Sequence, residues 1–270
     1  MPPHSHPPPI ALTIAGSDSG GGAGIQADLR SFAAFGVHGT SAITAVTAQN
    51  TRAVTAIHML PAHGIRAQID AVFDDFAVAA IKTGMLGTPL VVRTVVDALA
   101  RHAAVPLIVD PVLVATSGAT LGGQGLVAAM RRHLLPRAHL ITPNVPEAEQ
   151  LLDRRIRSRA QLLDAALRLR HAGARAVLLK GGHLAGREVH DVLVTAEEVR
   201  WFSHRRIAGQ AHGTGCTLAA AIVAAMARGE MLADAVSTAI DFVHRALELG
   251  YMPGRSRLRV LDHLGARVKR

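Results

Sequence analysis

Apolar residues come in short blocks separated by glycine, proline and charge, and the blocks alternate in kind along the chain. Residues 10–15 form an apolar run that ends at Gly16, the pattern of a buried strand. A glycine-rich loop at 16–24 leads into a helix at 25–35, which Gly36 stops. Strand patterns at 41–48 and 54–60 precede a helix at 62–73 and a strand at 79–82. The alternation then becomes regular, with a helix at 90–102, a strand at 106–109, a helix at 125–135 and a strand at 139–142. Helices at 145–152 and 158–171 lead to a strand at 176–179, and 189–195 with 198–203 reads as a β-hairpin. Two apolar helices, 214–227 and 232–249, complete the series.

Repeated βα units with buried strands predict an α/β fold of three layers (αβα). Its central sheet is mostly parallel with helices on both faces, and a small hairpin is added. With no internal repeat and no long linker, residues 10–265 read as a single domain behind a Pro-rich, disordered lead-in at 1–9. Ligands of such sheets bind at the carboxyl ends of the strands. That rule gathers the loops beginning at Gly16, Gln49, Gly84, Asp110, Pro143, Gly181 and the turn before Cys216 along one edge.

Composition narrows the function classes. No apolar run reaches the ~18 residues that a membrane span needs, so no membrane partner is expected. The N-terminus lacks the charged start and long apolar region of a secretory signal. His4 and His6 belong to the floppy tail rather than to a metal site. A single cysteine rules out an internal disulfide framework and fits a reducing cytoplasm, the expected location. The formal net charge of +9 raises the question of nucleic acid. The arginines are spread over helices and tail, however, and one Trp and one Tyr give almost no stacking platform for single strands. No nucleic-acid partner is expected; an Arg-rich surface that attracts anionic substrates fits better.

His212-Gly213-Thr214-Gly215-Cys216-Thr217 places the only cysteine at the mouth of the apolar helix 214–227. A helix start offers unpaired N–H groups and partial positive charge, which suits phosphate and lowers a thiol pKa. A small buried thiol is the alternative. In the first loop, 22–27 fits the dinucleotide pattern GxGxxA only formally. The strand that should end in an acidic residue ends in Gln49-Asn50, and no Lys-Ser or Lys-Thr follows the glycines as in a P-loop. Asp28 is either a substrate acceptor or a helix-dipole partner. Met85 is a lid over a flat ring or core filler. Asp110 closes a strand, where burial would demand a cation or water. Asn144 and Glu147 open a helix as cap and N3 acid, or serve the ligand. Lys180 places a cation on a glycine turn at a strand end. Together these supply anion donors, a cation, carboxylates for a metal and a candidate base at one edge, which is what phosphoryl transfer requires.

The ordered blocks AGSDSGGGAGIQADLR (15–30), TAVTAQNT (44–51), KTGML (82–86), VDPVLVATSG (109–118), ITPNVPEAE (141–149), LLKGGH (178–183) and HGTGCTLAAAI (212–222) carry a close resemblance. From about residue 10 to 249 the chain resembles the bacterial hydroxymethylpyrimidine/phosphomethylpyrimidine kinases of thiamine biosynthesis, in the ribokinase-like superfamily. The resemblance implies ATP-dependent phosphorylation of a pyrimidine alcohol and of its monophosphate, with ATP and Mg²⁺ as cofactors and a homodimer as the assembly. It implies a pyrimidine lying against Gly16, Ala23, Gln49, Met85 and Val112, with Asp28 holding its hydroxymethyl or amino group. ATP would be gripped by Asn144, Lys180 and the backbone of Gly213, Thr214 and Gly215, with Asp110 and Glu147 near magnesium. Cys216 would be the proton acceptor, where most of the superfamily carries Asp. One departure is Gln210-Ala211 before HGTGC, where many members carry Asn-Thr. The Pro-rich start and the Arg-rich end (255–270) lie outside the resemblance. Pyridoxal or pyridoxine kinase of the same superfamily is the rival reading, and a non-enzymatic nucleotide- or nucleic-acid-binding regulator is the rival from another class.

Overall fold

The computed structural model describes residues 7–113 and 123–268. Most of the lead-in, with His4 and His6, and residues 114–118 of the fourth block lie outside the described residues.

Among the described residues the main sheet has nine strands: β1 (Ile10–Asp18), β2 (His38–Gln49), β3 (Val54–Met59), β4 (Val78–Thr83), β5 (Leu107–Val109), β6 (Leu140–Ile141), β7 (Val177–Leu179), β8 (Glu188–Val194) and β9 (Val199–Arg205). Their spatial order is β3-β2-β1-β4-β5-β6-β7-β8-β9. The run from β2 to β7 is parallel, while β3, β8 and β9 add antiparallel edges. The expected hairpin is therefore β8–β9, joined onto the main sheet through β7.

Helices α1 (Gly24–Ala34), α7 (Thr214–Ala227) and α8 (Leu232–Glu248) cover one face. On the other lie α2 (Ala62–Asp75), α3 (Pro89–Ala98), α4 (Leu126–Ala129), α5 (Val145–Leu152) and α6 (Arg159–His171). These are the three layers that the patterning predicts. α7 is apolar all round because it is enclosed by the sheet, α1 and α8; residues 217–225 are all buried.

Several boundaries differ from expectation, three of them for local reasons. β1 runs on through Gly16 to Asp18, with a shifted register between Ala15 and Ser17, so the first loop starts later. The helix expected at 90–102 is capped by the Thr88 side chain and tightens into a 3₁₀ turn at Leu99–His102. The helix expected at 125–135 lasts one turn as α4, widens into a π turn at Met130–Leu134 and ends in a 3₁₀ turn around Pro136. Proline has no N–H to continue the ladder and clashes with the preceding turn. A pair absent from the patterning, β10 (Ala211–His212) with β11 (Arg259–Val260), joins the Arg-rich end to the turn that opens α7.

The order β2-β1-β4 puts the topological switch point beside β1, where the connections leave in opposite directions. A crevice must open there at the carboxyl ends of the strands.

Candidate active site

That crevice is a cavity of about 720 Å³. Gly16, Ala23, Gln49, Met85, Val112, Asp110, Asn144, Glu147, Lys180, Gly213, Thr214, Gly215 and Cys216 all line it. Of the candidate substrate, nucleotide, metal and catalytic residues taken from the sequence, Asp28 is the one that does not line it.

Asp28 needs a correction. It lies on the face of α1 turned to the sheet and is fully buried. Its Oδ2 accepts the Thr13 hydroxyl at 2.6 Å and the Lys82 ammonium at 2.9 Å. Asp28 therefore anchors Lys82, and it is Lys82 that meets the cavity floor. Burial alone would pull the Lys82 ammonium down, but the Asp28 charge beside it holds it protonated, above the usual lysine range.

At one end the first loop folds around Asp18. This carboxylate accepts the N–H groups of Gly20 (2.8 Å), Gly22 (3.0 Å) and Ala23 (2.9 Å), and its Oδ2 lies 3.1 Å from His212 Nε2. Burial pushes the Asp18 carboxyl up, yet the bonds from His212 and the loop amides outweigh it and leave the pKa low. Gln49 Nε2 is 2.8 Å from the same His212 nitrogen, which ties the end of β2 to the turn before α7. Gly213 sits at φ +83°, and a Cβ there would run into the Gly22 carbonyl, so only glycine lets the two loops meet. Gly16 lies under Met85, where a Cβ would be 3.3 Å from the Met85 sulfur.

In the middle, Lys180 Nζ lies 3.3 Å from Asp110 Oδ1. Asn144 and Glu147 form a reciprocal capping box: the Glu147 N–H donates to Asn144 Oδ1 (2.9 Å) and the Asn144 N–H to Glu147 Oε2 (2.8 Å). The capping role and the cavity-lining role thus coincide in the same two side chains. Burial pushes Glu147 up to about 7; Lys180 opposes that and the Asp110 charge adds to it. Gly215 brings the first turn of α7 against Lys180, where a Cβ would be 3.0 Å from Nζ.

Cys216 is the third residue of α7 and faces the cavity. The helix start was expected to lower its thiol pKa, and here the structure disagrees. Burial pushes it up to about 12, reinforced by the charges of Asp110 and Asp28 and only partly offset by Lys82 and the Gly24 N–H. Desolvation of a thiolate outweighs half a unit of helix charge.

Two parts of the site escaped the sequence reading. Asp18 and His212 join the loops; the Asp-x-Gly start of the glycine run, which favours an Asx turn, was the available signal for Asp18. Beyond Lys180, His183, Asp191, His204 and Arg206 from the β7–β9 segments line the same cavity as Ile240, Val243 and Leu247 of α8. No sequence pattern announced that wall, because it depends on how β9 returns beside β8.

Two neighbouring carboxylates, with the Lys180 ammonium 3.3 Å from Asp110 and its charge also acting on Glu147, suit an added divalent cation. Among the described residues no three acidic, His or Cys side chains cluster as a closed metal cage. Mg²⁺ is normally held by one or two carboxylates together with substrate phosphates, so Asp110 and Glu147 fit it.

A family profile described as phosphomethylpyrimidine kinase matches residues 18–260. The hydroxymethylpyrimidine/phosphomethylpyrimidine kinase of Rhizobium meliloti is 48% identical over 240 residues, 88% of this chain and 90% of that protein. A thiamine biosynthesis bifunctional protein of Geobacter sulfurreducens is 44% identical over 245 residues, which is 90% of this chain but only 50% of that longer protein. Among solved structures, the ADP complex of Bacillus subtilis pyridoxal kinase superposes with a TM-score of 0.88 at 31% identity, covering 96% of this chain and 99% of that one. Phosphomethylpyrimidine kinase from Clostridium difficile gives 0.79 at 38% identity, covering 88% and 99%. With a profile spanning the cavity from Asp18 to Val260 and a 48% identical relative matched along 90% of its length, the chain belongs to the phosphomethylpyrimidine kinase family.

Proposed function

We propose that this chain transfers the γ-phosphoryl group of ATP to the hydroxymethyl oxygen of 4-amino-5-hydroxymethyl-2-methylpyrimidine, and then to the resulting monophosphate, in thiamine biosynthesis. The observation that carries the reading is the convergence of Lys180, Asp110, Glu147 and the first turn of α7 on one cavity whose other end is lined by Gly16, Gln49, Met85 and Val112. One continuous space thus offers a ring apolar residues to lie against and offers phosphates the Lys180 ammonium, which supports this reading.

In this reading the pyrimidine lies against Gly16, Ala23, Met85 and Val112, with the Gln49 amide toward its polar edge. ATP enters from the side of Asn144 and Lys180. Asp110 and Glu147 would hold Mg²⁺, which supplies charge neutralisation at the phosphate oxygens when bound. Lys180 and the N–H groups of Gly213, Thr214 and Gly215 take up charge as it spreads over the transferring group. The hydroxymethyl oxygen attacks the γ-phosphorus, the bond to the bridging oxygen of ADP breaks, and the hydroxyl proton passes to Cys216 in the small fraction whose thiol has already lost its own proton. Positioning and electrostatics supply most of the rate, with proton removal adding about 10²–10⁴-fold. We further propose that the chain works in the cytoplasm without nucleic acid, since the single thiol and dispersed arginines favour neither disulfides nor a basic groove, and as a homodimer, the assembly that the resemblance implies.

Phosphorylation of pyridoxal is the second reading, favoured by the close superposition on pyridoxal kinases. A coupled ATP-consumption assay offers the purified chain hydroxymethylpyrimidine, its monophosphate and pyridoxal side by side. Turnover of both pyrimidines with kcat/KM well above that for pyridoxal is expected. Preference for pyridoxal would reverse the assignment, and salt-sensitive DNA retention with no ATP consumption would replace it with a binding protein.

A further inference from the structure

The loop that joins β7 to β8 forms the cavity wall beyond Lys180, and Gly182 and His183 on it face the cavity. Its shape is held from elsewhere. At its base the Gly181 N–H donates to Asp191 Oδ1 on β8 at 2.8 Å. Further along, the Arg206 guanidinium donates through Nη1 to the Gly182 carbonyl (2.6 Å), through Nη2 to the Leu184 carbonyl (2.6 Å) and through Nε to the Gly186 carbonyl (2.8 Å).

The aim of Arg206 follows from the sheet. Glu188 pairs with Arg205 in the β8–β9 ladder, and the Arg206 N–H continues it by donating to the Arg187 carbonyl at 2.9 Å. The side chain is thereby returned onto the loop that precedes its own partner strand. A planar guanidinium offers donors in a fixed fork, so one side chain can collect several carbonyls in a single arrangement. The carbonyl of Gly182, the one of these three residues that lines the cavity, is thereby engaged by Arg206 rather than left to repel a polyphosphate beside Lys180.

We propose that Arg206 is a positioning residue for the nucleotide: it fixes the loop after Lys180 in the shape against which the phosphate end of ATP docks. The inference rests on the kinase reading of the cavity. It assigns Arg206 to the wall, through the Gly182, Leu184 and Gly186 carbonyls, rather than to the phosphates. A lysine keeps the charge and the stem but cannot reproduce the fork.

The test compares Arg206→Lys and Arg206→Met in the full chain. The measurements are KM for ATP and for hydroxymethylpyrimidine, equilibrium affinity for ADP, and amide hydrogen exchange over residues 181–187. Loss of a preorganised wall is expected to raise the ATP KM and weaken ADP by about tenfold in both variants. The pyrimidine KM should stay within about twofold of wild type, and the loop amides should exchange faster until nucleotide is added. Wild-type nucleotide affinity in Arg206→Lys would overturn the proposal by showing that charge alone suffices. Unchanged ADP affinity in both variants, or equal rises in both KM values, would overturn it too. If the wild-type chain binds ADP yet phosphorylates no pyrimidine, the kinase reading fails separately, and the ADP affinities and exchange rates still decide the role of Arg206.

Discussion

At Cys216 the helix start and the protein packed around the half-buried thiol pull in opposite directions. Three residues into α7, the thiol receives the helix charge, but burial and the neighbouring carboxylates leave its pKa near 12, so it is neutral at pH 7. Only the thiolate alkylates or accepts a proton. Alkylation by iodoacetamide should therefore be slow at pH 7, quicken about tenfold per pH unit toward pH 10, and be blocked by bound pyrimidine. The same titration fixes the sign for catalysis, since a base needed in its deprotonated form becomes more abundant as pH rises toward the raised pKa. In wild type kcat should climb between pH 6 and 9. Cys216→Ala should lose the climb, its deficit widening with pH toward about 10²–10⁴-fold as the wild-type thiolate accumulates. A flat wild-type profile together with a nearly active alanine variant would remove Cys216 from proton transfer and leave it as part of the anion-binding turn.

The turn that carries Cys216 is braced by an element from the far end of the chain. β11 pairs with β10 immediately before Gly213, Val260 also exchanges backbone bonds with Tyr251, and His263 Nε2 meets the Thr217 hydroxyl at 2.9 Å. Leu261 is buried in the α1–α7–α8 layer, so Leu261→Ala should cost about 2–5 kcal/mol, read by urea unfolding. A chain ending at Leu258 should lose phosphoryl transfer along with melting temperature. Full activity without the strand pair would show that the anion-binding turn stands unaided. None of this was legible in the sequence, because a two-residue strand has no periodicity and the arginines around it read as solvated tail. Long elements were legible: 214–227 was read to its ends, and the strand-end rule collected the cavity from Gly16 to Cys216. Asp28 failed for the opposite reason. Its polar identity suggested a ligand contact, although its i+3 spacing from Ile25 and i−4 spacing from Phe32 place all three on the buried face of α1.

For the molecule as a whole, pH dependence is a difference between two sets of buried groups that work in opposite directions. His263 is pushed down to about 4, first by burial and then by the Arg30 charge, and burial also lowers His139, His183 and His204. The unfolded chain protonates such a histidine near pH 6.5 while the folded chain does not. Its contribution is therefore present above 6.5 and lost as pH falls toward 4. Glu147 has the reverse sign. Its carboxyl, pushed up by burial to about 7, holds a proton that the unfolded chain releases near 4.5, so it costs stability as pH rises from 4.5 to 7. The two substitutions should accordingly tilt the stability curve in opposite directions, measured by urea unfolding without nucleotide or divalent ion. Relative to wild type, His263→Gln should gain about 2 kcal/mol on going from pH 7.5 to pH 5, because it has no proton to exclude. Glu147→Gln should instead gain on going from pH 5 to pH 7.5 and level off above that. Parallel trends in both variants would mean that neither burial sets the titration, and that the charge of the whole molecule, +9 before any histidine is counted, governs its acid response.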